Sequence, residues 1–274
     1  MLGGMKVLFL GEIVSKAGIY CVKTALQDVK KRTGAQFVIA NGDGATGGFG
    51  IGKSHAVYLR KLGVDCITGG DQIYYKKDIA DFIDRAAHMV RAANFPPKNP
   101  GRGYRIYTVD NVSIAVLNLL GLSGFSRVHL SNPYTFLPEL VERLRKEANI
   151  IILDYHASTT AEKRIMSIYA DGMVSAALGT GQRVLTSDLA LSERGTASIT
   201  DTGRTGSLNS VAGLAAEVEI EKFLTAIPQR SRDAWDNLEL QGVLLDITDS
   251  GHTAAAEYIR EPVEPPEGSA DEVE

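Results

Sequence analysis

The 274 residues are 44% hydrophobic and 23% charged, ordinary globular values that exclude a disordered, collagen-like or coiled-coil chain. The net charge of −4 is uneven, because the segment from Glu261 to Glu274 holds six acids and no base, leaving a small positive balance on the rest. No apolar run reaches the length of a membrane span, and no basic patch marks a nucleic-acid polymer as partner. Two cysteines, Cys21 and Cys66, are too few for a disulfide framework and lack metal-type spacing, so a reducing, cytoplasmic setting is expected.

From the N-terminus, short apolar runs alternate with helix-period segments. Val7 to Leu10 reads as a strand, and Ile19, Val22, Leu26 and Val29 mark the face of a helix. Phe37 to Ala40 and Asp65 to Thr68 are further strands, separated by a Gly-rich loop and a helical stretch over 55–62. Asp78 to Ala87 is helical and leads into the short run Met89-Val90. This βαβα rhythm predicts right-handed crossovers and a mostly parallel sheet.

After Tyr104 the rhythm changes. Tyr104 to Val109 and Val112 to Leu120 flank Asp110-Asn111, the signature of a β-hairpin. An irregular insertion over 121–135 follows, then a helix over 137–148 and a strand over 150–154. Short strands are expected at 176–178 and 197–200, and a helix at 218–225. A closing hairpin joins 241–247 to 253–259 across Asp249-Ser250-Gly251. The organisation is one layered α/β domain over 1–260 with a small insertion, followed by a disordered acidic tail over 261–274.

The strand ends carry the chemistry. Glu12, Asp43, Asp71 and the run Asp154-Tyr155-His156 all follow predicted strands, where open α/β sheets gather their functional groups. Carboxylates and an imidazole at one sheet edge predict a hard-metal or mixed O/N metal site. Gly47 to Ser54 formally fits the pattern G-x-x-x-x-G-K-S, but no second acidic strand completes a nucleotide-triphosphate site. His55, His88, His129 and His252 read as surface or core residues, with His129, near Arg127 in the insertion, the one closest to the expected site. Tyr74, Tyr75 and Phe125 are candidates for shaping a pocket.

Several segments together identify a resemblance: Val7 to Glu12, Asn41-Gly42-Asp43, Lys76 to Ile79, Ala93 to Pro96, Asp154 to Ala157, Gly179-Thr180 and Gly195 to Asp201. Over 5–259 the chain resembles the YmdB-like family of calcineurin-type metallophosphoesterases, phosphodiesterases linked with 2′,3′-cyclic nucleotides. The resemblance implies the calcineurin-like layered α/β sandwich and a centre of two divalent ions. It also implies where this chain departs. Glu12 stands for an Asp ligand, Asp43 for the bridging Glu, Gly44 for an Asn, and Asp71 for a second Asn. His156 is kept, Gln72 replaces a proton-transferring His, and Gly181 and Arg183 replace a His-x-His pair.

A guanidinium stays protonated and cannot ligate a metal, so Arg183 is expected to pair with the carboxylates instead. Gln72 cannot shuttle a proton. These losses make a non-catalytic binding or scaffolding protein the leading expectation, without a cofactor, acting as a homo-oligomer or with a protein partner. The alternative is a phosphodiesterase with a rearranged site, in which one divalent ion (Mn, Fe or Mg) is held by Asp43, Asp71 and His156, with Glu12 nearby. A third class is a sensor binding a nucleotide-like ligand in the old pocket.

Overall fold

The computed structural model describes residues 4–125 and 129–268. The first half comprises β1 (Gly4–Leu10), β2 (Glu12–Ile13), α1 (Ser15–Thr33), β3 (Phe37–Asn41), α2 (Lys53–Leu62), β4 (Cys66–Thr68), α3 (Lys77–Phe82), β5 (Met89–Val90), β6 (Tyr104–Val109) and β7 (Val112–Leu120). The second half comprises α4 (Pro133–Leu144), β8 (Ile150–His156), α5 (Thr160–Tyr169), β9 (Ala176–Thr180), β10 (Ala190–Leu191), β11 (Ala197–Ile199), β12 (Arg204–Ser207), α6 (Ala216–Thr225), β13 (Leu238–Thr248) and β14 (Thr253–Val263).

Two sheets form, not one. The first has the order β2-β12-β13-β1-β3-β4-β5, with β14 also on β13; β1, β3, β4 and β5 are parallel and β13 runs against β1. The second has the order β10-β11-β9-β8-β7-β6, parallel from β7 through β8 and β9 to β11, with antiparallel edges. The expected parallel sheet is therefore right for the crossover units and incomplete for the hairpin strands. This is the layered α/β sandwich that the resemblance implies.

Side-chain parity builds the layers. In β1, Met5, Val7 and Phe9 enter the core between the sheets, while Leu8 and Leu10 face the helices α1 and α2. Phe37 and Ile39 of β3 likewise face inward, meeting Ile150 and Ile152 of β8 from the opposite sheet. A third core cluster joins α4 and α5 to the outer side of β7 and β8. Both faces of these strands are buried, hence the continuous apolar runs in the sequence.

Local chemistry fixes the boundaries. Gly34 and Gly63 end α1 and α2 in the left-handed conformation, each after a basic last turn. Asp110 and Asn111 both take positive φ, as a type I′ hairpin turn needs, and Val109 pairs with Val112.

The acidic tail begins later than expected. β14 continues to Val263, Glu261 pairs with Leu240 in the ladder, and its carboxylate meets Arg32 at 2.5 Å. A charged residue on an edge strand costs little because its side chain stays in water. Residues 269–274 lie outside the described part. Both cysteines are free and buried, and among the described residues no helix is long and apolar enough to cross a membrane.

Candidate active site

The inward parity of the strands continues past their apolar stretches and becomes polar at their carboxyl ends. After Phe37 and Ile39 comes Asn41; after Cys66, Thr68; after Ile150 and Ile152, Asp154 and His156; after Ala176 and Leu178, Thr180. These residues are buried at the mouth of the inter-sheet core. A desolvated polar cluster must satisfy itself internally, and it does so largely around Asp154. That carboxylate accepts from Thr180 Oγ1 at 2.6 Å, from Thr68 Oγ1 at 2.5 Å and from Asn41 Nδ2 at 2.9 Å. Burial raises the Asp154 pKa, and the His156 charge and these three donors work against that rise.

Thr180 has one hydroxyl proton, which goes to Asp154. Its oxygen therefore accepts from His156 Nδ1, 3.0 Å away. That bond sets the ring orientation and directs Nε2 toward the acids: Asp71 Oδ1 lies at 3.3 Å and Asp43 Oδ2 at 3.9 Å. Asp43, Asp71 and His156 each present a ligand atom, all within 4.8 Å of one another. Asp43 is held by the backbone N–H groups of Gly70 (2.7 Å) and Gln72 (3.0 Å). Gly70 is required by this approach, since a Cβ there would sit 2.5 Å from both Asp43 Oδ2 and His156 Nε2.

The electrostatics are those of a cation site. Burial pushes Asp43 up to about 7; the His156 charge opposes the rise, while Glu12 and Asp71 add to it. Burial alone would lower His156, yet the hydrogen bond to Asp71 and the charges of Asp43 and Glu12 raise it to about 9. The charged imidazole balances the crowded acids, and His156 can ligate a metal only after giving up that proton.

The expected Arg183 pairing is present. Arg183 Nη2 and Nε reach Glu12 Oε1 at 2.7 and 2.9 Å, and Glu12 is buried. Burial works against the charged guanidinium, and the Glu12 carboxylate more than offsets it. Nη2 also donates to the Gly48 carbonyl at 2.8 Å and Nη1 to that of Ala212 at 3.1 Å. Gly44 provides the space: a Cβ there would lie 2.9 Å from both Arg183 Nη2 and Glu12 Oε1. The small residue and the large one are matched. Glu12 Oε2 is buried and has no hydrogen-bond partner among the described residues.

The predicted ligands thus divide into two groups. Asp43, Asp71 and His156 converge, whereas Glu12 is taken by Arg183 and Asp154 acts behind His156. Gly181 supplies no ligand and takes positive φ, with a would-be Cβ 3.1 Å from His156 Nε2. Gln72 contributes its backbone N–H, and its Oε1 is buried without a partner among the described residues.

Of the aromatic candidates, Phe125 stacks on His156 with ring centroids 6.0 Å apart, while Tyr74 donates to the Pro100 carbonyl and packs on Phe95. His129 is exposed, and Arg127 lies outside the described residues. The G-x-x-x-x-G-K-S stretch makes no phosphate cradle, because the Lys53 N–H at the start of α2 already donates to Asp78.

Thr180, Thr68, Asn41 and the pair Lys163–Asp201 were missed in the sequence. Strand parity at 41, 68 and 180 was the available signal for the first three. Asp201 takes the Lys163 ammonium at 2.6 Å and the Gln182 N–H at 2.8 Å, and so holds the turn that presents Arg183. No local pattern links those positions.

The family described as YmdB-like protein matches residues 8–259. The chain is 36% identical over 245 residues to a 2′,3′-cyclic-nucleotide 2′-phosphodiesterase of Bacillus subtilis, covering 89% of this chain and 92% of that protein. The chain belongs to the YmdB-like family. Among solved structures, a phosphatase of Mycoplasma pneumoniae superposes with a TM-score of 0.90 at 29% identity, covering 97% of this chain and 96% of that one. A Thermus thermophilus protein of undefined function superposes at 0.87 with 30% identity, covering 96% and 100%. In this chain Gly44 and Arg183 gather around Glu12, while Asp43, Asp71 and His156 lie together on the other side.

Proposed function

We propose that the chain is a metal-dependent phosphodiesterase in which Asp43, Asp71 and His156 hold one divalent ion and Arg183 supplies a second, fixed positive charge. The observation carrying this reading is the anchoring of His156 through Nδ1 to Thr180 and Asp154, which aims Nε2 at the two acids. Metal-binding histidines are oriented in this way by an outer partner. The donor set of two carboxylates and one imidazole suits Mn, Fe or Mg, with coordination positions left open. Glu12 Oε2 is a further buried acceptor without a partner among the described residues, on a carboxylate close enough to raise Asp43.

A divalent ion there supplies Lewis-acid chemistry, drawing charge from a phosphoryl oxygen and acidifying water. The chain's own residues do the rest. Gly70 and Gln72 N–H groups fix Asp43, and Thr180 fixes His156. Arg183 balances Glu12 without any ion. Gln72 cannot protonate a leaving group, so diesters whose departing oxygen needs little help are favoured. Ring-strained 2′,3′-cyclic nucleotides, the substrates named for the B. subtilis relative, are of that kind.

This reading replaces the non-catalytic scaffold as the better-supported one. The departures that the resemblance implies touch both sides of the site, yet Asp43, Asp71 and His156 still present a coherent donor set. The test is turnover of 2′,3′-cyclic AMP by the purified chain with Mn²⁺ supplied, beside His156→Ala and Asp71→Ala. Turnover by the parent that falls at least about a hundredfold in both variants supports the reading. A metal-loaded parent with no turnover overturns it.

A further inference from the structure

Beside the site lies a groove of about 1140 Å³. One wall is formed by the loops that follow Asp43 and Asp71, through Phe49, Tyr75 and Lys76; the other is formed by Asn209, 215–217 and 229–236. Arg183 holds the loops that carry both walls, since its guanidinium donates to Gly48, between the lining Gly47 and Phe49, and to Ala212, between the lining Asn209 and Ala215. The groove is therefore joined to the chemistry by the same residue that neutralises Glu12.

Its surface has two characters. Phe49 and Tyr75 present paired rings with centroids 6.1 Å apart, and Tyr75 is 63% exposed, free to stack further. Lys76 Nζ sits 5.0 Å from the Tyr75 ring centre, and Lys16 and Arg230 make no ion pair among the described residues. The groove's other bases are engaged, Lys222 with Glu219 and Arg232 with Glu217. Its acids Asp233 and Asp236 already accept from the Lys16 N–H and from Asn209.

Aromatic faces interleaved with free cations fit bases joined by phosphates, and not an apolar ligand. At about 1140 Å³ the groove lies just above the range of about 300 to 1,000 Å³ for ordinary small-ligand pockets. We infer that this groove binds the chain of a short single-stranded oligonucleotide whose phosphodiester end enters the site, so that the substrate is longer than a mononucleotide. This rests on the phosphodiesterase reading above and departs from the expectation of no nucleic-acid polymer as partner.

The experiment is fluorescence anisotropy of a 5′-labelled tetraribonucleotide ending in a 2′,3′-cyclic phosphate on the full chain, in chelator so that no turnover intervenes. The expected result is binding at least about tenfold tighter than that of competing 2′,3′-cyclic AMP. Tyr75→Ala should weaken it about tenfold, and Arg230→Glu should flatten its salt dependence. Equal affinity for monomer and tetramer, or unchanged binding in both variants, overturns the assignment. Hydrolysis of bis(4-nitrophenyl) phosphate by the Mn²⁺-loaded parent tests the catalytic reading separately, since that diester has no chain for the groove. Absent hydrolysis with length-dependent binding counts against the catalysis and supports the groove.

Discussion

At the scale of single residues, Arg183 and Gly44 form a matched pair around Glu12. A guanidinium fills a position that the family resemblance gives to a ligand, and a glycine opposite makes room for it. Breaking a buried pair strands the remaining charge, so Arg183→Ala should cost about 3–5 kcal/mol, read by urea unfolding. Gly44→Asn should destabilise the parent by driving its side chain into Arg183, yet cost much less in an Arg183→His background. Additive costs in that double-mutant cycle would contradict the matched-pair account.

The titrations of Asp43 and His156 also belong to this scale. Both fold with raised pKa values: burial lifts Asp43 to about 7, and the hydrogen bond to Asp71 with the neighbouring acidic charges lifts His156 to about 9 against its burial. Stability from Asp43 is thus full below its unfolded value and lost as pH rises toward about 7. That from His156 is full below its unfolded value and lost as pH rises through about 9. In chelator the chain should therefore become less stable from mildly acid to alkaline pH. Metal affinity should move the opposite way, with proton release on binding, since ligands bind deprotonated. Calorimetry in buffers of different ionisation enthalpy reads that release; a pH-independent affinity would contradict it.

At the scale of elements, the loops after β3, β4 and β9 do the positioning. Gly70→Ala pushes a methyl between Asp43 and His156, so it should abolish metal binding while circular dichroism stays unchanged. Lys163→Met leaves Asp201 buried without its cation and should destabilise the chain by about 3 kcal/mol, loosening the turn before Arg183.

Much of this level was legible. The Asp110-Asn111 turn, the strands before Asp43 and Asp71, and the closing hairpin follow from turn chemistry and hydrophobic pattern. Helix α5 was not anticipated, although Thr159 and Glu162 stand at capping-box spacing before it. Its signal was split, because the Glu162 carboxylate reaches across to Leu122 and Ser123. Strand β12 was also missed, since Arg204 to Ser207 has no apolar alternation; Arg204 is buried by donating to the carbonyls of Arg183, Ser207 and Leu208. The tail boundary was misplaced because acidic residues on an edge strand look like a solvated end.

Across the whole molecule, the site joins the two sheets. Asp43 and Asp71 come from the ends of the first sheet and His156 from the second, so one ion would tie the halves of the sandwich together. Mn²⁺ at about a hundred times its Kd should then stabilise folding by about 2.7 kcal/mol, visible as a rise in Tm. His156→Ala should erase that rise. A metal-induced shift that survives the substitution would place the ion elsewhere.

The most direct test of the one-ion account is metal content per chain, by elemental analysis of protein purified without chelator with Mn and Fe supplied. The account predicts close to one ion per chain in the parent and none in Asp71→Ala/His156→Ala. Two ions per chain would mean that Arg183 does not take the place of a cation, and none would mean that Asp43, Asp71 and His156 are not a metal site.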